Sequence, residues 1–205
     1  MPYVLEFYSL DWAELGKAMG SGDHALVNRI DQENGDNFFR GVEDQETRLI
    51  WRKVLEALIC GRRGKNLAEW GPEPKIQPEE ASDIAALALV GMVRTLGTGI
   101  GELEHSTTSG SFFREEFFGK EAPVLLKSLV NLEQLLSRPL FGIVHEIYPS
   151  WGGLKKTEIK LLLENLAGHR IPPLDDSDVE AWLYDLYGCL RIAYENGTDI
   201  VTVYS

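Results

Sequence analysis

The sequence predicts an α+β fold, a predominantly helical single domain over residues 1–205 with a small sheet that pairs its N- and C-terminal strands. The first observation is that β-branched and aromatic residues fill 3–8 and 199–204, a composition typical of strands. The second is that apolar residues recur at helical spacing through most of the chain between those segments. The third is size, because 205 residues, 44% of them hydrophobic, suit one domain with a core of its own. Strands at the two ends of a mostly helical chain often pair, so we expect both in one sheet.

In the first half of the chain, capping and stop signals separate the predicted helices. Asp11 opens a short helix, and the glycines and Asp23 of 20–23 end it and cap the next one. An Asn-Gly-Asp-Asn cluster at 34–37 predicts a turn. The helix after the loop 66–78 is apolar on nearly every side, so we expect it at the centre of the core. The elements predicted here are a strand at 3–8 and helices at 11–19, 23–33, 44–60 and 79–96.

The second half is predicted to alternate irregular and helical segments. Residues 98–119 are glycine-rich and polar, which is typical of a loop. Residues 140–148 form a short apolar run between prolines that fits a buried strand or a short helix. Ser177 and Glu180 match a capping box, so a helix is expected to begin there, with an apolar stripe that extends to Tyr194. The other elements predicted are helices at 123–137 and 154–166 and a strand at 199–204.

Acidic residues outnumber basic ones by 32 to 20, which gives a net charge of -12. The excess is concentrated at the C-terminus, where residues 173–205 hold seven acids and one base, while residues 106–172 are close to neutral. This balance argues against general nucleic-acid binding, which depends on neutralising phosphates with a basic surface. It favours a basic protein partner, whose approach and selection charge complementarity would assist. The acids expected to contact that partner are Asp175, Asp176, Asp178, Glu180 and Asp185.

Three aromatic residues are further candidates for partner contact. Phe112 and Phe113 begin an FFxxxFF pattern set among glycines and charged residues. Trp151 lies in a predicted turn, where an exposed tryptophan would be a contact anchor. A buried Trp151 would instead fix the 140s to the helix that follows. The same two alternatives, contact and burial, apply to the phenylalanines.

Local signatures of catalysis, cofactor binding and metal binding are absent from the sequence. It contains no GxxxxGK[ST] phosphate loop, no GxSxG nucleophile elbow and no CxxC pair. The glycines of 97–101 follow a helix, whereas a dinucleotide site needs a strand before them. The pair His145-Glu146 resembles the start of a zinc-binding helix, but Pro149 stands where the second histidine is needed. We therefore expect neither a cofactor nor a metal.

The alternative function depends on His145 and Glu146. Both lie inside an apolar run, where burial could shift their pKa values toward acid–base chemistry. A cleft formed by these residues and the 98–119 segment would make the chain a small-ligand-binding protein or a hydrolase-type enzyme. A satisfied buried pair, or a solvent-facing edge, explains the same residues without a function.

The cysteines and the basic cluster have structural explanations. Cys60 and Cys189 lie near apolar helical patterns, which predicts two reduced, buried thiols. The basic cluster could hold an anion or could compensate the dipole at a helix end. It consists of Arg52, Lys53, Arg62, Arg63 and Lys65.

The sequence carries no sign of export or membrane insertion. Its first residues lack a basic segment before an apolar one, so a signal peptide is not expected. The most apolar stretch, 84–93, is about half as long as a bilayer-spanning helix. We expect a cytoplasmic protein with no membrane contact, either alone or as a homo-oligomer.

The segment 3–11, followed by Leu15, the 20–23 turn and Leu26, resembles a family of uncharacterised bacterial proteins. Members of that family also begin with a strand, a short helix and a GS-x-D turn. The resemblance implies a bacterial, cytoplasmic origin and no catalytic residue. From the charge and the missing catalytic signatures we expect a non-enzymatic, acidic interaction module of the immunity or antitoxin kind.

Overall fold

The structure, a computed structural model, describes residues 3–38, 45–61, 78–105, 113–138, 150–167 and 177–205. Within these ranges the predicted α+β class is confirmed, because helices accompany a four-stranded antiparallel sheet that contains both terminal strands. The described residues form two compact units. The helical unit comprises 12–38, 45–61 and 78–97, and the sheet unit comprises the other described residues. That one domain spans 1–205 stays a prediction, and the run 140–148 lies outside the described residues.

The helical unit contains the first four helices, close to the predicted positions. Helices α2, α3 and α4 pack against one another, and α1 packs against α4. Nearly every side chain between Ile84 and Val93 of α4 is buried, as expected for a core helix. The helices are α1 (Trp12–Ala18), α2 (His24–Phe38), α3 (Gln45–Cys60) and α4 (Pro78–Leu96).

The turn predicted at 34–37 is wrong, because α2 continues through it to Phe38. Asn34 is buried, and its side-chain amide donates to the Ile30 carbonyl (3.2 Å) and to the Thr95 hydroxyl in α4 (3.0 Å). Inside a packed helical unit those partners outweigh the local preference of asparagine for turns.

Gly91 lets α4 approach its two neighbours closely. A Cβ atom at this position would lie 2.9 Å from the Trp51 ring of α3 and 3.0 Å from the Ile30 side chain of α2. The Trp51 ring is held in place by its indole N–H, which donates to the Asp31 carboxylate (3.1 Å). The small residue in α4 therefore determines how near the three helices come to one another.

The sheet unit is organised around antiparallel strands in the order β2-β1-β4-β3. The N- and C-terminal strands are direct neighbours, with Leu5 opposite Tyr204 and Phe7 opposite Thr202, which confirms the predicted pairing. The strands are β1 (Tyr3–Ser9), β2 (Thr98–His105), β3 (Ser150–Leu154) and β4 (Ile200–Tyr204).

Two strands occupy segments predicted to be irregular. The glycine-rich segment 98–119 holds β2, which pairs with β1 along the whole strand through a bulge at Phe7/Tyr8, and then a π-helical segment, Phe113–Glu121. The turn predicted around Trp151 is the short strand β3, paired with β4. The neighbouring strands β1 and β4 are rich in strand-forming residues. Their hydrogen bonds to β2 and β3 stabilise two strands that local propensity does not predict.

One row of residues crosses the sheet and carries two helices on one face. The row consists of directly paired residues, in the order Gly101, Phe7, Thr202 and Gly152 across the four strands. A Cβ atom at each of these positions points to the same face of the sheet. At one end a Cβ on Gly101 would lie 2.6 Å from the Cys189 sulfur of α8 (Ser177–Asn196). At the other end the backbone of α6 (Gln134–Ser137) lies directly on Gly152 and accepts a hydrogen bond from the Thr202 hydroxyl.

The continuous helix predicted at 123–137 is wrong, because two short helices replace it. The first, α5 (Ala122–Leu125), ends in a Schellman motif: the Ser128 N–H donates to the Pro123 carbonyl, and the Lys127 N–H to the Val124 carbonyl. Lys127 is left-handed there, with φ 45°. The second is α6, whose backbone lies on the sheet at Gly152. The later helices are α7 (Lys156–Leu166) and α8, at the predicted positions.

Replacing Lys127 by glycine is expected to raise the free energy of unfolding by about 0.5–1 kcal/mol. The left-handed conformation costs a residue with a Cβ roughly 1–2 kcal/mol, and the greater freedom of glycine in the unfolded chain offsets part of that gain. Urea unfolding followed by circular dichroism measures the change. Lys160→Gly in the exposed middle of α7 is the matched control and is expected to lower stability by about 1 kcal/mol. A loss of stability in both variants would contradict the expectation.

Candidate interaction face

The acidic face of α8 is the side of this helix that points away from the core; we define it by Ala181, Tyr184, Asp185, Gly188, Ile192 and Glu195. Its members recur every three or four residues over about 21 Å, and all are exposed or half-exposed. The opposite side of α8 is buried in the core of the sheet unit through Val179, Leu183, Leu186, Leu190 and Ala193. Because only this side of α8 is buried, the acidic face is the side that meets solvent.

Large side chains on and beside this face are exposed. Tyr184 is 56% exposed, Ile192 40% and Tyr187 36%. Tyr194 is 50% exposed, which corrects its assignment to the buried stripe: it lies one residue from the buried Ala193, at the margin of the stripe. Tyr184 and Tyr187 were not predicted as contact residues, because the sequence does not show which side of an amphipathic helix is buried.

The charge of α8 is strongly negative. Its sequence has four acids and a single cation, Arg191. The Arg191 guanidinium donates to the Glu195 carboxylate (2.8 Å), a contact that raises the pKa of Arg191 and neutralises part of its charge within the helix. Arg191 therefore does little to offset the field of Asp185, which lies six residues earlier on the helix.

Of the predicted acidic contact residues, three lie on α8, and only Asp185 among them belongs to the acidic face. Asp178 and Asp185 are exposed on α8, and Glu180 is half-buried on the same helix. The structure therefore brings these three onto one element. Asp175 and Asp176 lie outside the described residues.

Of the predicted aromatic contact residues, the structure describes Trp151 and Phe113, and both lie in elements other than α8. Trp151 is 3% exposed, so the alternative of an exposed anchor in a turn is corrected: as part of β3, opposite Val203, its ring is buried. Phe113 opens the π-helical segment, whose later phenylalanines, Phe117 and Phe118, are fully buried. Outside the described residues lie Phe112, His145 and Glu146.

Cys60 and His24 form a thiol–imidazole pair between α3 and the start of α2. The sulfur lies 3.6 Å from His24 Nδ1, and Cys60 is half-exposed, which corrects the expectation that both thiols are buried. Burial, and then the carboxylates of Glu56 and Asp23, raise the pKa of the Cys60 thiol. Since the thiolate is the nucleophile, this environment does not activate it at neutral pH.

Cys189 is a buried, free thiol, as predicted. Desolvation, reinforced by the carboxylate of Asp185, raises its pKa from an ordinary value of 9.0 to about 12. Its sulfur donates to the Ile100 carbonyl of β2 (3.7 Å). The residue is a packing element between α8 and the sheet and stays protonated at neutral pH.

Of the basic cluster, Arg52 and Lys53 lie within the described residues. Arg52 is committed to neighbours, since its guanidinium donates to the Asp31 carboxylate (3.2 Å) and to the Asn28 side chain (2.7 Å). Arg62, Arg63 and Lys65 lie outside the described residues. In the described part of the chain, no three His, Cys, Asp or Glu side chains come together as metal ligands.

Comparisons with protein-family models, curated proteins and solved structures found no match to this chain. Of the helices in the described ranges, none combines the length and the apolar character needed to cross a bilayer. What indicates a function is therefore the geometry and the charge of α8.

Proposed function

We propose that this chain is a non-enzymatic interaction module whose acidic face of α8 binds a basic protein partner, as immunity and antitoxin proteins do. The observation that carries the proposal is the exposure of Tyr184 and Ile192 beside Asp185 on a helix anchored in a core. Tyrosine is enriched among residues that dominate binding energy, because it buries a large area with few rotatable bonds. The acids add steering toward a basic surface and discrimination against acidic ones.

The rigidity of α8 supports this function. The core side of the helix is buried, and the indole N–H of Trp182 donates to the Glu104 carbonyl of β2 (3.0 Å). The binding side chains are thus mounted on an element that is ordered before the partner arrives. A preformed surface avoids the ordering cost that a flexible segment meets on binding.

The test is affinity capture with the purified chain, followed by calorimetry with the captured partner produced on its own. We expect a basic protein whose dissociation constant rises steeply between 50 and 500 mM salt, because salt screens exposed charges. Tyr184→Ala is expected to weaken binding roughly 30-fold, the effect of losing an interface anchor. Leu161→Ala, on the exposed side of α7, is the matched control and should leave affinity unchanged. Absence of a salt-sensitive partner, or equal affinity of both variants, would refute the proposal.

A further inference from the structure

Gly188 is placed in the middle of α8, on its acidic face. Glycine is the least favourable residue after proline in a helix interior, so its presence there calls for a compensating role. The sheet unit does not supply that role, because none of the described atoms would come within 4 Å of a Cβ atom added at Gly188. Neither the fold of the helix nor its packing against the described core explains the glycine.

The helical glycine of α4 shows what such a residue does in this protein. At Gly91 a Cβ atom would meet the Trp51 ring and the Ile30 side chain of two neighbouring helices. That glycine allows helices to pack at close range. Gly188 leaves the same kind of gap in the surface of its helix, but on a face turned to solvent. We call this gap the notch.

The notch is bordered by side chains suited to a cationic helix. Tyr184 and Asp185 lie one turn before Gly188, and Ile192 lies one turn after it, so all three adjoin the notch on the helix surface. The carboxylate can pair with an incoming Lys or Arg, and the tyrosine ring can accept a guanidinium on its face. Ala181, seven residues before Gly188, is a second small residue on the same face.

We propose that a helix of the basic partner crosses α8 at Gly188, with its backbone close to α8 and its Lys or Arg side chains directed to Asp185 and Tyr184. This inference rests on the proposed function and specifies the partner's recognition element. A second copy of this chain is the less suitable occupant. A twofold contact would place one acidic face against another, and like charges would oppose it.

The decisive variant is Gly188→Leu, which fills the notch and whose Cβ atom has no described atom within 4 Å. We expect it to bind the captured partner at least tenfold more weakly than wild type while its Tm is unchanged or higher. Thr157→Leu, which adds the same side chain at an exposed position of α7, is the matched control and should bind normally. Asp185→Lys and Glu164→Lys alter the net charge equally, and only Asp185→Lys should weaken binding.

A defined probe tests the helical requirement directly. An alanine-based, 20-residue helical peptide with arginines along one side is titrated into the labelled protein and followed by NMR. Shifts are expected at residues 181–195 and are expected to be absent in Gly188→Leu. A version of the peptide with a central proline, which cannot form the helix, should produce much smaller shifts.

The outcomes separate this inference from the proposed function. If a salt-sensitive partner binds Gly188→Leu as tightly as wild type, or if the proline peptide gives equal shifts, the helix-crossing inference is overturned and the interaction function stands. If no salt-sensitive partner is captured, or if Tyr184→Ala binds as tightly as the Leu161→Ala control, the proposed function itself falls. Concentration-dependent dimerisation that Gly188→Leu abolishes would overturn the inference in favour of a second copy.

Discussion

Replacing Gly152 by alanine will lower the free energy of unfolding by about 3 kcal/mol or more. The added Cβ would meet the Gln134 carbonyl oxygen and would lie 2.5 Å from the Leu135 carbonyl carbon and 2.6 Å from its oxygen. All of these atoms belong to the backbone of α6, so no side-chain rotation can relieve the overlap, and the strand or the helix must move. Overpacking of a well-packed core typically costs about 1–3 kcal/mol, and a backbone obstacle places this site at or above the upper end.

The same displacement would disturb the neighbouring strand. Thr202, opposite Gly152, donates its hydroxyl to the Leu135 carbonyl, and lifting α6 away would leave that buried hydroxyl without its partner. Urea unfolding monitored by tryptophan fluorescence measures the loss. Gly188→Ala is the matched control, since nothing described lies near its Cβ, and it should stabilise the protein by about 1 kcal/mol. A Gly152→Ala protein as stable as wild type would show that α6 does not lie on the sheet.

The buried thiol of Cys189 is expected to make the protein increasingly unstable above pH 9. Its pKa in the folded chain is about 12, against an ordinary value of 9.0, because burial disfavours the thiolate. Between these two values the unfolded chain has lost the thiol proton and the folded chain retains it. Stability therefore falls as the pH rises, by about 1.4 kcal/mol per unit for this one group, and the contribution is absent below pH 9.

The measurement compares the unfolding free energies of wild type and Cys189→Ala between pH 8 and 11. All other ionisable groups are the same in both proteins, so the difference between the two curves isolates the thiol. The alanine variant is expected to start lower, since it loses buried contacts beside Gly101, and to approach or overtake wild type as the pH rises. Parallel curves would mean that the Cys189 thiol ionises as readily in the folded chain as in the unfolded one.

Helical periodicity and strand composition were sufficient to predict much of the fold. The helices at 44–60 and 79–96 and the pairing of the terminal strands depend on patterns within each segment, and the structure confirms them. The failures share a cause in contacts between distant segments. Asn34 stays helical because Thr95 in another helix accepts its amide hydrogen bond, and β2 forms because β1 offers it a ladder. Local propensity contains neither partner.

The acids of the candidate site were predictable from the sequence, but its exposed tyrosines were not. Counting charge located the acids of α8, since a charge total needs no knowledge of contacts. It did not locate the exposed tyrosines, because an aromatic residue on an amphipathic helix reads as core until the buried side is known. Gly152 carried a signal of a different kind, since a glycine inside a strand indicates close approach by another backbone, here that of α6.

The outer strand β2 has a consequence for how copies of this protein behave at high concentration. An exposed strand edge is a template on which another chain can add a strand, the first step of aggregation. In β2 two backbone carbonyls, of Ile100 and Glu104, accept from the Cys189 and Trp182 side chains, and the strand carries a bulge. The exposed carboxylates of Glu102 and Glu104 add mutual repulsion between copies at neutral pH. Part of the acidity of this chain thus makes this edge of its sheet a poor surface on which another copy could add a strand.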